Sequence, residues 1–427
     1  MEAAKSLSTN RGTLNSISLL IFSGLFLLSI STIRTSAAPI EGACSSSGSL
    51  RTMARVYMAS GGYKKAQSFL VKALHLAKET DASDSELSAC MLDLAYLYKN
   101  QGRWLQAERA CRSGLELQEK AYSQSHPYVA YTLRILSEIY RKQARYREAT
   151  DTLERAIIIM RTFCLEDDQE LAPFKVDMAR LLTAKGDYVR AESYFKEAIA
   201  SIENSYGPDH LYITRVLCSM AALYVHQKRF TEAEELISRL LPIQERVYGP
   251  DHHNLVPVWL VKSSIYEAEE DLINTKNLLE KSLGSIEKTN SSKPWIECDI
   301  LSRLGQLYIL SKEYKKAEYI LQKALDIMGN SKGTDTDHTA IVLNSLARLY
   351  IIQGKYSKAQ SMCDRALDIL ESIFGDYHQN IADVLETQVH LNRETGNMTE
   401  AARLEQRAEE IRARKRMAYA PIARAID

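Results

Sequence analysis

The chain has 427 residues, and its 54 Lys+Arg balance 54 Asp+Glu. Zero formal net charge excludes a global field that would draw nucleic acid or an acidic surface, so any charge preference is local. The seven cysteines are odd in number and none stands at CxxC spacing, which argues against both a disulfide framework and a zinc site.

In chain order, Lys5 and Arg11 precede an apolar stretch from Ile17 to Ile33, and Ser36-Ala37-Ala38 follow. That order describes an export signal over residues 1–38, cut after Ala37. The alternative is an uncleaved signal-anchor through residues 17–33, which would leave the rest outside the cytoplasm. Residues 39–48 are small and polar, a flexible spacer.

From residue 49 to 414 the sequence repeats with a period of 42. One aromatic column is Tyr98, Tyr140, Tyr224, Tyr266, Tyr308 and Tyr350; a second is Trp104, Tyr146, Tyr188, Phe230, Tyr314 and Tyr356. A third column is Ala107, Ala149, Ala191, Ala233, Ala317, Ala359 and Ala401. Within a unit, Leu343, Leu346, Ala347 and Tyr350 mark one face of a helix. Gln353-Gly354-Lys355 ends it, and Tyr356, Ala359, Cys363, Ala366 and Leu367 mark a second helix. Cys111 and Cys363 share a repeat position and read as small buried apolar residues. A hairpin cannot cover its own apolar stripe, so the units must stack into an all-α solenoid.

This spacing resembles the tetratricopeptide repeat. The linkers Tyr206-Gly-Pro-Asp-His210, Tyr248-Gly-Pro-Asp-His252 and Phe374-Gly-Asp-Tyr-His378 resemble its long variant, found in kinesin light chains. The resemblance implies a right-handed superhelix of antiparallel helical hairpins that binds proteins or peptides. In kinesin light chains an Asn of the first helix helps grip peptide cargo; Asn344 matches that position, whereas its equivalents here are Leu92, Arg134, Val176, Cys218, Leu260 and Ser302. About nine repeats are expected over 49–414, followed by a tail at 415–427. The ninth is irregular: Asn392 and Met398 replace aromatics, and Glu405 and Glu409 fall on the face, as suits a unit that ends the stack. The sixth should be the softest internal layer. Lys262 stands where the stripe calls for Leu, Thr275 interrupts the Ala column, Leu272 replaces an aromatic, and Glu269-Glu270-Asp271 offers no glycine to end the first helix.

His126, His210, His252 and His378 recur at multiples of 42, so they fall in different layers and read as turn residues capping the next helix, not as a metal site. No phosphate-cradling glycine loop, nucleophile elbow or zinc-protease motif occurs, so no catalytic residue, cofactor or metal is assigned and no enzyme activity is expected. The expected binding wall is the concave one, lined by first helices. It carries Arg51, Arg55, Lys99, Arg134, Arg141, Lys142 and Arg180 in the early repeats. The later ones offer Ala222, Val225, Ser264, Ile309, Ile351 and Ile352, with Arg303, Asn344 and Arg348 among them. Guanidinium groups in a row suit an acidic, extended, partly apolar protein segment. The sequence thus points to a non-catalytic interaction scaffold, exported or tethered. The alternatives are a membrane-anchored assembly factor and a regulatory subunit of an enzyme complex. No nucleic-acid partner is expected, and a membrane only through residues 17–33.

Overall fold

The computed structural model describes residues 46–59, 62–164, 168–289, 294–330, 336–376 and 378–419. The apolar segment 17–33 lies outside them, as does most of the expected spacer. Among the described residues there are 18 α-helices and no strand. They form nine hairpins: α1 (Ser47–Ala59) and α2 (Tyr63–Glu79); α3 (Asp84–Asn100) and α4 (Trp104–Tyr122); α5 (Pro127–Lys142) and α6 (Tyr146–Arg161); α7 (Ala172–Lys185) and α8 (Tyr188–Tyr206); α9 (Leu211–His226) and α10 (Phe230–Tyr248); α11 (Val256–Ala268) and α12 (Leu272–Thr289); α13 (Pro294–Leu310) and α14 (Tyr314–Asn330); α15 (Asp337–Ile352) and α16 (Tyr356–Phe374); α17 (Gln379–Glu394) and α18 (Met398–Tyr419). At the ends, α1 begins at Ser47, where Ser46 Oγ accepts a hydrogen bond from the Ser49 amide at 3.2 Å, and α18 continues to Tyr419.

Every hairpin from the second onward turns through one left-handed residue at the same register. Gly102, Gly186, Gly354 and Gly396 take it with φ of 72°, 78°, 70° and 81°. Ala144, Lys228, Glu270 and Lys312 take it with φ of 57° to 61°. The lack of glycine in the sixth repeat is therefore not peculiar to it, contrary to the sequence expectation. The hydrogen-bonding of the turn imposes the conformation whichever residue stands there. The helices of a hairpin approach closely because a column of small residues faces the partner. At Gly305 in that column an added Cβ would lie 2.5 Å from Leu321 Cδ2.

A second device joins one hairpin to the next. Tyr224 in α9 donates its hydroxyl to Glu192 of the preceding hairpin at 3.0 Å. Arg229, just past the turn, pairs with the same Glu192 at 2.8 Å and stacks 4.1 Å from the Tyr224 ring. Burial pushes the Glu192 carboxyl up, but Lys196, Arg229 and Tyr224 outweigh it and bring it down to about 2. Tyr350, Glu318 and Lys355 repeat the arrangement. Between the second and third repeats Glu108 and Arg145 pair at 2.9 Å, and Arg145 stacks 4.4 Å from Tyr140. The first aromatic column is tyrosine because its hydroxyl is used as well as its ring.

The core is not uniform along the stack. One continuous cluster of buried side chains runs from Ala54 through the first five repeats to Val258 and Ile265. Beyond it the core divides into three smaller clusters, centred on Trp259 and Ile300, on Leu321 and Leu346, and on Leu343 and Leu385. The division falls at the sixth repeat. There the first helix opens with a 3-10 turn, His253–Leu255, and Lys262 lies only half-buried with its ammonium 5.6 Å over Tyr266. Thr275 is buried in place of alanine and satisfies its hydroxyl on the Asp271 carbonyl at 2.8 Å. Leu272 and Ile273 are exposed. In the ninth repeat α18 buries Ala401, Leu404, Ala408 and Ile411, while Glu405 and Glu409 face water. These glutamates are not on the packed face as expected; they form the polar outer side that ends the stack.

Most consecutive first helices pack on one another as well as on second helices, whereas second helices have no comparable mutual contact. The array therefore curves with its first helices inside. The curvature brings distant repeats together. Gly102 in the turn of repeat 2 sits against Thr336 at the start of repeat 8, where an added Cβ would be 3.3 Å from Thr336 Cγ2.

Candidate partner-binding site on the inner wall

The linker histidines act as helix caps. Nδ1 of His126, His210, His252 and His378 accepts the amide of Tyr128, Tyr212, Asn254 and Asn380 at 3.2 to 3.3 Å. Each ring also stacks on the aromatic four residues earlier, with centroids 4.8 Å apart at Tyr122, 4.5 Å at Tyr206, 5.2 Å at Tyr248 and 3.9 Å at Phe374. An Nδ1 that accepts must be unprotonated, and burial lowers the pKa of His126, His210 and His252 accordingly. Cys111 and Cys363 are fully buried thiols, pushed up to about 12 by burial.

The inner wall is built by first helices, and most of its cations are already held by the next repeat. Arg51 and Arg55 converge on Asp93 at 2.6 and 2.9 Å. Lys99 pairs with Glu138 at 2.7 Å and Arg134 with Asp177 at 3.0 Å. Arg180 reaches Asp177 at 3.4 Å and donates to Ser219 Oγ at 2.7 Å. Arg303 turns back to Glu267 at 2.9 Å and to Ser264. The expected free row of arginines is thus a ladder of ties between repeats. The reason is stereochemical: residues about 39 to 43 apart, such as Arg51 and Asp93, lie side by side on adjacent first helices.

What remains unpaired is narrower. Among the described residues, Arg141, Lys142, Arg215 and Arg348 make no ion pair. Of these, Arg141, Lys142 and Arg215 gather around the paired set. Burial drives the Glu138 carboxyl up, yet Lys99, Arg141 and Arg180 overcome this and hold it well below the usual carboxylate range. Burial depresses the Arg215 guanidinium, and Arg180 adds to the effect; Asp177 and Glu138 oppose it. Arg215 and Lys142 are exposed on the inner wall. Lys99, Arg134, Arg141, Lys142, Arg180 and Arg215 stand against Glu138 and Asp177, with Asp299 and Asp337 facing from the far side, a surplus of two positive charges.

Sequence reasoning missed Arg215. It lies one turn before the central part of the helix, at the register of Tyr131, Pro173 and Pro257, and a charge in that mostly uncharged column is the signal that was there. In the later repeats Asn344 donates weakly to the Asp383 carbonyl at 3.5 Å, and its Oδ1 is buried without a partner. Ile351 is in the core and not on the wall; Ile352 is exposed. Among the described residues no group of His, Cys, Asp and Glu is arranged to hold a metal ion, and no helix is long and apolar enough to cross a membrane.

The model of the tetratricopeptide repeat family matches residues 87–162, 171–235, 212–285, 297–372 and 339–414, well over half of the chain. No curated protein matches the chain. Solved structures similar to it include a Podosopora anserina protein with nearly identical kinesin-light-chain TPR-like repeats, at 20% identity and TM-score 0.41 over 47% of this chain and 95% of that one. A tetratricopeptide repeat protein from Parabacteroides merdae aligns at 16% identity and TM-score 0.42 over 70% and 98% of the two chains. A Rap protein complexed with competence and sporulation factor aligns at 15% identity and TM-score 0.47 over 78% and 100%. By its repeat pattern, its hairpin stack and the family match, this chain belongs to the tetratricopeptide repeat family.

Proposed function

We propose that the protein is a non-catalytic scaffold whose inner wall holds an extended, acidic segment of a partner protein. Tetratricopeptide repeats are in general interaction scaffolds, and a stacked array supplies a long curved surface. The observation that carries the acidic preference is the unpaired set Arg141, Lys142 and Arg215 around the crowded carboxylate Glu138. A guanidinium surrounded by other cations gains most from an arriving carboxylate, which meets its donors and relieves the repulsion. The basic start, apolar run 17–33 and Ser36-Ala37-Ala38 support an exported scaffold; if the run stays attached, the same wall would serve a membrane-anchored assembly factor. The test uses a fluorescent Asp/Glu-rich peptide and a Lys-rich peptide of equal length, titrated with the full chain at low and high salt. Binding of the acidic peptide alone, weakened by salt, supports the proposal. Equal binding of both, or of neither, overturns the acidic preference. Location is tested separately, by whether the mature protein begins after Ala37.

A further inference from the structure

We propose that the edge of repeats 2 and 3 and the edge of repeats 7 and 8 form a latch that closes the superhelix on itself, with Lys142 facing Asp337 and Asp299 while Gly102 is seated on Thr336.

The first support is a contrast among equivalent glycines. Gly102, Gly186, Gly354 and Gly396 occupy one register and share one conformation. At Gly186, Gly354 and Gly396 an added Cβ would meet nothing within 4 Å, and all three are exposed. Gly102 alone is buried, and its neighbours there are Thr336 and the Asp337 carboxylate, the latter 3.5 Å from an added Cβ. Trp104 makes the same point. Its column-mates Tyr146, Tyr188, Phe230, Tyr314 and Tyr356 are half-buried, whereas Trp104 is only 7% exposed. Repeats six apart in sequence therefore cover Gly102, and Trp104 lies two residues from that contact.

The second support is charge. Lys142 ends α5 at the same edge, 5.9 Å from the Trp104 ring. The charges that act on it are Arg141 on its own helix, Asp337 at the start of α15, Glu138 on its own helix and Asp299 in α13. Two of its three carboxylate neighbours thus come from the opposite edge. The seam is also small and imperfectly matched, since Trp104 Nε1 and Asp337 Oδ1 are both buried without a partner. Such leftover groups lower the worth of a contact, which leaves a seam that salt or a modest perturbation opens. The latch concerns the shape of the array and holds whether or not the inner wall binds an acidic segment.

The test follows the radius of gyration of the full chain by small-angle X-ray scattering. Lys142→Glu should enlarge it, and Lys142→Glu combined with Asp337→Lys should restore it. Arg147→Glu, an exposed charge on α6 away from the seam, should leave it unchanged. Circular dichroism confirms that each variant keeps its helices. A second reading needs no variant: raising salt from about 0.05 M to about 1 M, which shortens the screening length to about 3 Å, should speed amide exchange several-fold at 102–106 and 336–341 but not at 215–223. An unchanged radius in Lys142→Glu, a double variant that stays enlarged, or exchange at the seam indifferent to salt would overturn the latch.

Discussion

Repeats 1 to 5 and repeat 6 are written in the same 42-residue code and behave as different materials. In the first region one large core runs from Ala54 through all five layers, with a small separate cluster of Leu50, Ala73, Ala77 and Cys90 at its outer end, and the tyrosine–glutamate–arginine device of Tyr224, Glu192 and Arg229 ties layer to layer. In the sixth repeat the core divides, the first helix starts in a 3-10 turn and Lys262 occupies a stripe position. A repeat array is stable by nearest-neighbour contacts, so one poor layer becomes a joint and not a general weakness. The unpaired cations Arg141 and Arg215 are mounted on the rigid half, and Asp299 and Asp337 lie beyond the joint.

The largest effect expected from this contrast is at the wedge tyrosines. Tyr224→Ala removes a ring that is 5% exposed and orphans part of Glu192, and should cost about 3–5 kcal/mol in chemical denaturation. Tyr266→Ala, in the half-buried equivalent position, should cost less than half as much. Equal losses would mean that the sixth layer is packed as well as the fifth. Tyr350→Ala, 8% exposed, should resemble Tyr224→Ala, whereas Arg141→Ala on the open wall should stay within about 0.5 kcal/mol.

The joint should also be visible without substitution. Amides at 257–289 should exchange faster than those at 215–248 or 341–372. Exchange that is equal or slower at 257–289 would remove the joint.

Acid offers a different cut through the same array. The folded chain lowers the pKa of His126, His210 and His252, so the unfolded chain binds protons more readily. The caps contribute fully above the unfolded value of about 6.5, and their contribution is lost as pH falls from there through the lower folded values. A lost cap costs on the order of 1 kcal/mol. Once the intrinsic pH dependence of amide exchange is divided out, protection should therefore fall at the starts of α5, α9 and α11 between pH 7.5 and pH 5, while protection at the start of α15, capped by Thr336 Oγ1 on the Thr339 amide, should not change. A uniform response would show that the histidine caps do not matter.

The smallest effect concerns the turns. Glu270→Gly relieves a left-handed non-glycine residue at φ 61° and should stabilise the sixth repeat by about 0.5–1 kcal/mol, net of the added chain freedom. Gly186→Ala should do the reverse in the fourth, read by thermal melting.

The fold was readable from the sequence because it is local. Each column of Tyr, Ala or His repeats a contact made with the neighbouring hairpin, so period and face are enough to place Tyr350, Ala359 and His210. The sites resisted the same reading where contacts join repeats on the inner wall. Arg51 and Asp93 stand 42 residues apart, and nothing in the period says that they neutralise each other. The seat of Gly102 on Thr336 depends on the curvature summed over six repeats, which no single unit encodes. Glu405 and Glu409 were misplaced because the helical face of α18 runs through Ala401, Leu404, Ala408 and Ile411 instead.

In the proposed mode of binding, the unpaired cations of the rigid half, and not the whole basic row, read a partner. The most direct measurement is the titration of one Asp/Glu-rich peptide against three full-length chains: the parent, Arg141→Glu with Arg215→Glu, and Arg51→Glu with Arg55→Glu. The first pair of changes should abolish salt-sensitive binding, while the second, which alters only cations already held by Asp93, should weaken it far less. Equal losses from the two pairs, or binding that survives Arg141→Glu with Arg215→Glu, would contradict that mode of binding.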